Sequence, residues 1–197
     1  MTTRLASETT FTVRRLTVAV PDVRGFQRSY EAAVPDVPRD EVAALLQRRA
    51  PWLEMVELIQ ASAPHGFLIY ARIDPHSLMQ AAGDEAECVT YLMGNHVTAE
   101  QMFRHDPRAM LYAPLRTVIW EDSTGGAWFT ADQPSTQFGS LGIPEVSKVG
   151  VELDRKLAAL LEALDVDVPA TLPRADRHCQ HDPEKAHVHQ GSRHVCG

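Results

Sequence analysis

Residues 115–130 read LRTVIWEDSTGGAWFT, and this stretch decides the fold class. Two runs rich in β-branched and aromatic residues flank a polar segment that ends in Gly125 and Gly126. This pattern predicts two antiparallel strands joined by a hairpin whose loop is longer than the tight two-residue type. An antiparallel sheet is therefore the expected centre of the fold.

Further strands are predicted upstream of this hairpin. Residues 11–20, 66–73 and 88–93 are rich in β-branched or aromatic residues, and each run ends at a turn signal such as Pro-Asp or Gly-Asn. Residues 26–34 are expected to form one more strand. Short turns between neighbouring strands favour antiparallel pairing.

Helices are predicted from apolar residues that recur every three or four positions. One helical segment starts at Pro38 and is split by Pro51, which lacks the amide donor that a helix interior needs. A long amphipathic helix is predicted near the end of the body, from the spacing of Val146, Val149, Leu153, Leu157, Leu160, Leu161 and Leu164. The expected fold class is α+β, an antiparallel sheet with helices packed on one face.

The overall charge excludes some classes of partner. The 197 residues include 19 Lys+Arg against 26 Asp+Glu, which gives a formal charge of −7. An acidic chain is poorly suited to a phosphate backbone, so no nucleic-acid partner is expected. No apolar run approaches the roughly 18–20 residues needed to cross a bilayer, and the first residues lack the apolar core of a secretory signal. We therefore expect a cytoplasmic protein with no membrane partner.

Composition divides the chain into a single domain, residues 1–168, and a tail, residues 169–197. The tail contains no Phe, Trp, Tyr, Ile or Met. Such a segment buries too little apolar surface to offset its ordering entropy. Five of the nine histidines and two of the three cysteines nevertheless lie there.

These histidines and cysteines form a candidate metal site. Imidazole and thiolate are ligands that zinc, copper(I) and nickel accept. Zinc is the first expectation, with copper and nickel as alternatives, although the spacing does not match a zinc finger. Two other interpretations stay open: an unordered tail without a metal, and a disulfide between Cys179 and Cys196. The candidate ligands are His178, Cys179, His181, His187, His189, His194 and Cys196.

Several short motifs of the body occur in a characteristic order. They are ARID at 71–74 with His76, YLMGN at 91–95, APLRTVIWED at 113–122, and ADQP at 131–134. In order and spacing, residues 66–142 resemble the domain-of-unknown-function 302 (DUF302) family. The resemblance implies a compact α+β domain of the TATA-binding-protein-like type, often dimeric, with no settled activity. His96 stands where the family's turn usually has proline.

Polar residues at the predicted turns form a candidate cluster at one rim of the sheet. Alternate residues of a strand share a face, so Arg72 and Asp74 are expected to point the same way, with His76 just beyond. A histidine held by a carboxylate could act as a general base, and Asp74, His76 and Glu121 are the catalytic candidates. Arg72, Asn95 and His96 are the ligand-binding candidates. The alternative is that these side chains only satisfy the turns and each other.

Three classes of function follow from these candidates. The first is metal-dependent binding or sensing through the tail, in a homodimer. The second is a small-molecule enzyme that uses the rim cluster, assisted by a metal or haem. The third is a carrier of haem or an apolar ligand, with His96 or His105 as axial ligand. Cys88 is expected to be a buried hydrophobe. Trp52, Trp120 and Trp128 are expected to fill the core, with the lining of an apolar ligand pocket in a concave sheet as the alternative.

Overall fold

The sheet predicted from the sequence is present in the computed structural model, which describes residues 7–173. Five strands form one sheet in the order β1-β5-β4-β3-β2, and every neighbouring pair is antiparallel. The strands are β1 Arg15–Val20, β2 Leu68–Ile73, β3 Cys88–Gly94, β4 Leu115–Glu121 and β5 Ala127–Asp132. The predicted α+β class is confirmed.

Helices connect or follow these strands. The predicted break at Pro51 is confirmed, because α2 ends before it and α3 begins directly after it. A 3-10 helix, Pro107–Leu111, precedes β4. The α-helices are α1 Val23–Ala33, α2 Arg39–Gln47, α3 Trp52–Ser62, α4 His76–Ala81, α5 His96–Phe103, α6 Pro134–Gly139 and α7 Pro144–Ala163.

One face of the sheet carries the main hydrophobic core. In β3 the side chains of Val89, Tyr91 and Met93 are buried, while the residues between them are half-buried. The same alternation in β1, β4 and β5 places their buried residues on this face. Buried residues of α1 and α7 belong to the same core cluster, so the helices cover this face of the sheet.

Residues 26–34 form most of α1 rather than the expected strand. The Asp22 carboxylate accepts a hydrogen bond from the Gly25 amide at 2.5 Å and caps the helix. Val23, Phe26 and Tyr30 then recur at helical spacing and are buried. The helix therefore satisfies its first turn locally and buries one apolar stripe, which a strand here could not do.

On the opposite face of the sheet, Leu68 of β2 is buried against α3 in a second, smaller cluster, whereas the outward residues of β1, β4 and β5 are exposed or half-buried. Trp120 and Trp128 lie there as a stacked pair, with ring centroids 6.4 Å apart, and both are half-buried. Trp52 is 47% exposed on α3. The expectation that the three tryptophans fill the core is therefore wrong.

The loop of the β4–β5 hairpin is organised by one carboxylate. Asp122 accepts hydrogen bonds from the Thr124 amide, the Thr124 hydroxyl, the Gly126 amide and the Trp128 indole, at 2.7–2.9 Å. These hydrogen bonds, led by the Thr124 hydroxyl and the Trp128 indole, hold the pKa of Asp122 well below its usual range. Asp122 therefore has a structural role in this loop.

The packed body reaches beyond residue 168. Leu172 is 3% exposed and belongs to the main core cluster, although the composition places it in the tail. The Thr171 carbonyl lies 3.5 Å from the Gln133 side-chain amide. Residues 174–197 lie outside the described part. Within the described part, no helix is long and apolar enough to span a bilayer.

Candidate functional site

A polar cavity of about 370 Å³ lies between α1 and the sheet edge where β2 ends and β3 begins. We call it the α1 cavity. Three of the predicted site residues, Arg72, Asp74 and His76, are in its wall. The lining residues are Val23, Arg24, Gln27, Arg28, Arg72, Asp74, His76, Glu87, Cys88 and Val89.

Arg72 connects the cavity wall to a hydrogen-bonded network on α1. Its guanidinium lies 3.3 Å from the Glu31 carboxylate and 3.7 Å from the Asp74 carboxylate, which confirms that Arg72 and Asp74 share a side. Glu31 also accepts hydrogen bonds from the Tyr91 hydroxyl at 2.5 Å and from the Gln27 side-chain amide at 3.1 Å. Burial favours the neutral carboxyl, but these hydrogen bonds and Arg72 outweigh it and lower the pKa of Glu31.

Asp74 holds His76 through the backbone rather than through the ring. The Asp74 carboxylate accepts a hydrogen bond from the His76 amide at 3.0 Å. The ring Nδ1 instead faces the Ala86 carbonyl at 3.4 Å. When Nδ1 carries the proton, that carbonyl orients the ring and leaves Nε2 as the basic nitrogen. The expected carboxylate–imidazole pair is therefore replaced by a carbonyl–imidazole pair.

Three arginines line the α1 cavity, and one of them has no ion-pair partner within residues 7–173. Two carboxylates also line it, in a chain whose formal charge is −7. The Arg24 guanidinium binds the Glu87 carboxylate at 2.6–2.7 Å. Arg28 is exposed and forms no ion pair with residues 7–173. The cavity therefore offers at least one guanidinium to an anion.

Cys88 is half-buried between this cavity and the outer face of the sheet. Burial raises the pKa of its thiol, and the nearby Asp74 carboxylate adds to the shift. The thiolate is the nucleophilic form, so the thiol is poorly activated for nucleophilic chemistry.

Glu121 does not reach the α1 cavity. It ends β4, and its amide donates to the Glu87 carbonyl at 2.9 Å. Its side chain lines a separate recess with Trp120 and Arg116. The proposed catalytic set is therefore brought together only in part, with Asp74 and His76 in the cavity and Glu121 outside it.

Asn95 and His96 lie at the opposite end of β3. At about 3.4 Å per residue, the seven-residue strand separates them from Cys88 by about 24 Å. Asn95 caps α5, since its Oδ1 accepts from the Val97 and Thr98 amides and its Nδ2 donates to the Gly66 carbonyl. The expectation of a single rim cluster is therefore wrong for these two residues.

His96 lines a smaller recess of about 180 Å³, which we call the His96 recess. Pockets for cofactors and drug-sized ligands are typically about 300–1,000 Å³, so this recess does not enclose a haem. The other candidate axial ligand, His105, is exposed.

The predicted metal ligands of the tail lie outside the described residues. They are His178, Cys179, His181, His187, His189, His194 and Cys196. Within residues 7–173, no group of three or more His, Cys, Asp or Glu side chains is arranged to hold a metal ion.

Sequence reasoning missed the contribution of α1 to the cavity. Arg24 and Arg28 lie one turn apart on α1 and so share its cavity side. The signal that could have found them is the Asp22 cap, followed by apolar residues at helical spacing. Treating residues 26–34 as a strand hid this spacing.

Comparisons with known proteins agree with the fold. The sequence profile described as "Domain of unknown function DUF302" matches residues 49–164. The structure described as "uncharacterized conserved protein DUF302 from Bacillus stearothermophilus" is 14% identical to this chain, with a TM-score of 0.53. The match covers 77% of this chain and 97% of that chain, and at this identity the likeness concerns the fold alone. No curated protein matches the chain.

Proposed function

This chain belongs to the DUF302 family, whose description states no activity, and from that premise we propose that it binds a small anionic molecule in the α1 cavity. The observation that carries the proposal is the Arg28 guanidinium, which lines a cavity of about 370 Å³ and forms no ion pair within residues 7–173. This volume falls within the range typical of small-molecule sites. Planar guanidinium groups recognise carboxylate and phosphate by paired hydrogen bonds.

A substitution of Arg28 can test anion binding without destabilising the fold. Arg28 is exposed and forms no ion pair within the described chain, so its removal leaves no buried charge. We expect Arg28→Gln to weaken binding of the probe anion about ten- to hundredfold, the effect of a lost hydrogen bond to a charged group. Arg155→Gln is the matched control, because Arg155 is exposed on α7 and does not line the cavity.

Isothermal titration with succinate and with inorganic phosphate tests this proposal. Saturable binding of either anion that Arg28→Gln weakens and Arg155→Gln preserves is the expected result. Equal affinities for the two variants, or no binding of either anion, would contradict the proposal.

The same cavity supports an enzyme as an extension of this function. His76 would take a proton from the bound molecule at Nε2, with its ring oriented by the Ala86 carbonyl at 3.4 Å. His76→Ala should then abolish turnover while leaving anion affinity within about threefold. Asp74→Asn is a milder test, since it weakens the hydrogen bond that fixes the His76 backbone. If both variants retain full activity, His76 has no catalytic role.

Metal binding through the tail is a second candidate function. It rests on seven His and Cys residues within residues 178–196. Binding of zinc, or of copper or nickel, would order the tail, because binding energy becomes folding energy. Equilibrium dialysis should show one bound zinc per chain, lost in His187→Ala/His189→Ala and kept in the body control His105→Ala. Unchanged stoichiometry in the double variant would refute this site.

We also propose that the chain forms a homodimer, as the family resemblance implies. Light scattering of the purified full chain would test this. A mass near twice 21.8 kDa is expected, and a monomer at micromolar concentration would contradict it. A cytoplasmic location remains a prediction from composition.

A further inference from the structure

The His96 recess combines an apolar lining with one polar pair. It lies between the start of β2, the end of β3, α5, the 3-10 helix and the start of β4. Its lining carries no Asp, Glu, Lys or Arg side chain. Its apolar wall includes Met102, Met110, Pro114, Leu115, Phe138 and Leu153.

The polar pair is formed by Tyr70 and His96. The Tyr70 hydroxyl and the His96 Nδ1 are 2.8 Å apart, and both side chains line the recess. Burial raises the pKa of Tyr70 to about 12 and lowers the pKa of His96. Both groups are therefore neutral near pH 7.

This pair retains hydrogen-bonding capacity in either arrangement of its protons. If Tyr70 donates to Nδ1, the neutral imidazole carries its proton on Nε2 and can donate it. If Nδ1 donates instead, the Tyr70 hydroxyl proton is free and Nε2 can accept. The His96 backbone amide also hydrogen-bonds the Tyr70 hydroxyl, which partly offsets the rise in the pKa of Tyr70. No other side chain of the described residues hydrogen-bonds this hydroxyl or this ring, so one donor and one acceptor remain for a ligand.

We propose that the His96 recess binds a small neutral cyclic molecule that carries one hydroxyl or carbonyl oxygen. The ring would contact Met102, Met110 and Phe138, and the oxygen would bind the Tyr70–His96 pair. Size supports a single ring, because an apolar cavity of about 150 Å³ holds benzene and this recess is about 180 Å³. The ligand is expected to be neutral, because the lining would remove water from a charged group without offering it an ion-pair partner.

The methionines provide a local readout of this site. Two of the six, Met102 and Met110, line the recess, whereas Met55 and Met79 lie on α3 and α4. In the full chain with ¹³C-methyl-labelled methionine, benzyl alcohol should shift the Met102 and Met110 signals saturably and leave Met55 and Met79 unchanged. Toluene should bind about three- to tenfold more weakly, because it lacks the hydrogen bond. Benzoate should produce no saturable shift.

Two variants connect the shifts to the recess. Ala99→Leu places a larger side chain in the recess and should abolish benzyl alcohol binding, whereas Ala44→Leu on the exposed side of α2 should preserve it. His96→Phe should reduce the affinity for benzyl alcohol to that for toluene. This second variant keeps the test decisive if Ala99→Leu does not fold.

Three outcomes would overturn the proposal. They are equal shifts at all methionines, equal affinity for benzoate and benzyl alcohol, and unchanged benzyl alcohol binding in His96→Phe. The result is independent of the α1 cavity, because Arg28→Gln should leave benzyl alcohol binding unchanged.

Discussion

Replacing Leu172 with alanine tests whether the packed body extends past the compositional boundary at residue 168. Leu172 is 3% exposed and belongs to the main core cluster. Leucine-to-alanine substitutions at buried sites cost about 2–5 kcal/mol. Because Leu172 lies near the end of the described chain, where neighbours relax readily, we expect the lower part of this range, about 2–3 kcal/mol.

Urea unfolding followed by far-ultraviolet circular dichroism measures this cost directly. In a body of this size, a loss of about 2–3 kcal/mol corresponds to a melting temperature lower by roughly 4–12 °C. Leu46→Ala is the matched control, since Leu46 is 66% exposed on α2 and should change stability by less than about 0.5 kcal/mol. Equal effects of the two substitutions would show that Leu172 contributes nothing to the core.

The same reasoning predicts different results for two truncations. A chain that ends at residue 168 should lose stability by at least as much as Leu172→Ala. A chain that ends at residue 173 should match the full chain in metal-free buffer, because it keeps the described body. If the shorter chain is equally stable, the packing argument for residues 169–173 fails.

Three further predictions concern single side chains. Asp122→Asn should lower the free energy of unfolding at neutral pH. Because folding lowers the pKa of Asp122, the ionised carboxylate stabilises the fold fully above the ordinary pKa of 3.8, and this stabilisation is lost as the pH falls below that value. The urea unfolding curves of variant and parent should therefore converge only in strong acid. Tyr30→Phe should cost about 1 kcal/mol in urea unfolding, because it removes a hydroxyl bonded within the core; a stabilised variant would contradict this. Cys88 should react with iodoacetamide more slowly at pH 7 than a free thiol, measured with Cys179 and Cys196 replaced by serine, because burial raises the pKa of its thiol; a rate equal to that of free cysteine would show that the thiol is not shielded.

The strands were predictable because each has a local signature. In β4 and β5, β-branched and aromatic residues flank Gly125 and Gly126, and both strands begin at their predicted residues. Which face of the sheet the helices cover was not predictable. Ile119 faces the core and Trp120 the outer surface, yet both are apolar, so alternation alone could not distinguish the two faces.

The division of the rim cluster follows from antiparallel geometry. In neighbouring antiparallel strands, the end of one lies beside the start of the next. Asp74 follows the end of β2 and Asn95 follows the end of β3, so the two residues must lie at opposite ends of this pair of strands. This consequence was available from the sequence, and so was the helix that carries Arg24 and Arg28, whereas the position of that helix against the sheet depends on tertiary packing.

The stacked tryptophans give the outer face of the sheet its own optical signal. Each indole is fixed by a hydrogen bond, from Trp120 to the Thr130 hydroxyl and from Trp128 to Asp122. Two indoles held in such an arrangement couple electronically and should contribute a paired band to the circular dichroism spectrum. Because Trp52 is exposed and the stacked pair is half-buried on the outer face, fluorescence emission would report on the surface rather than on the core. A change in this emission on dilution, with the far-ultraviolet circular dichroism unchanged, would therefore register an event at the surface of a folded body.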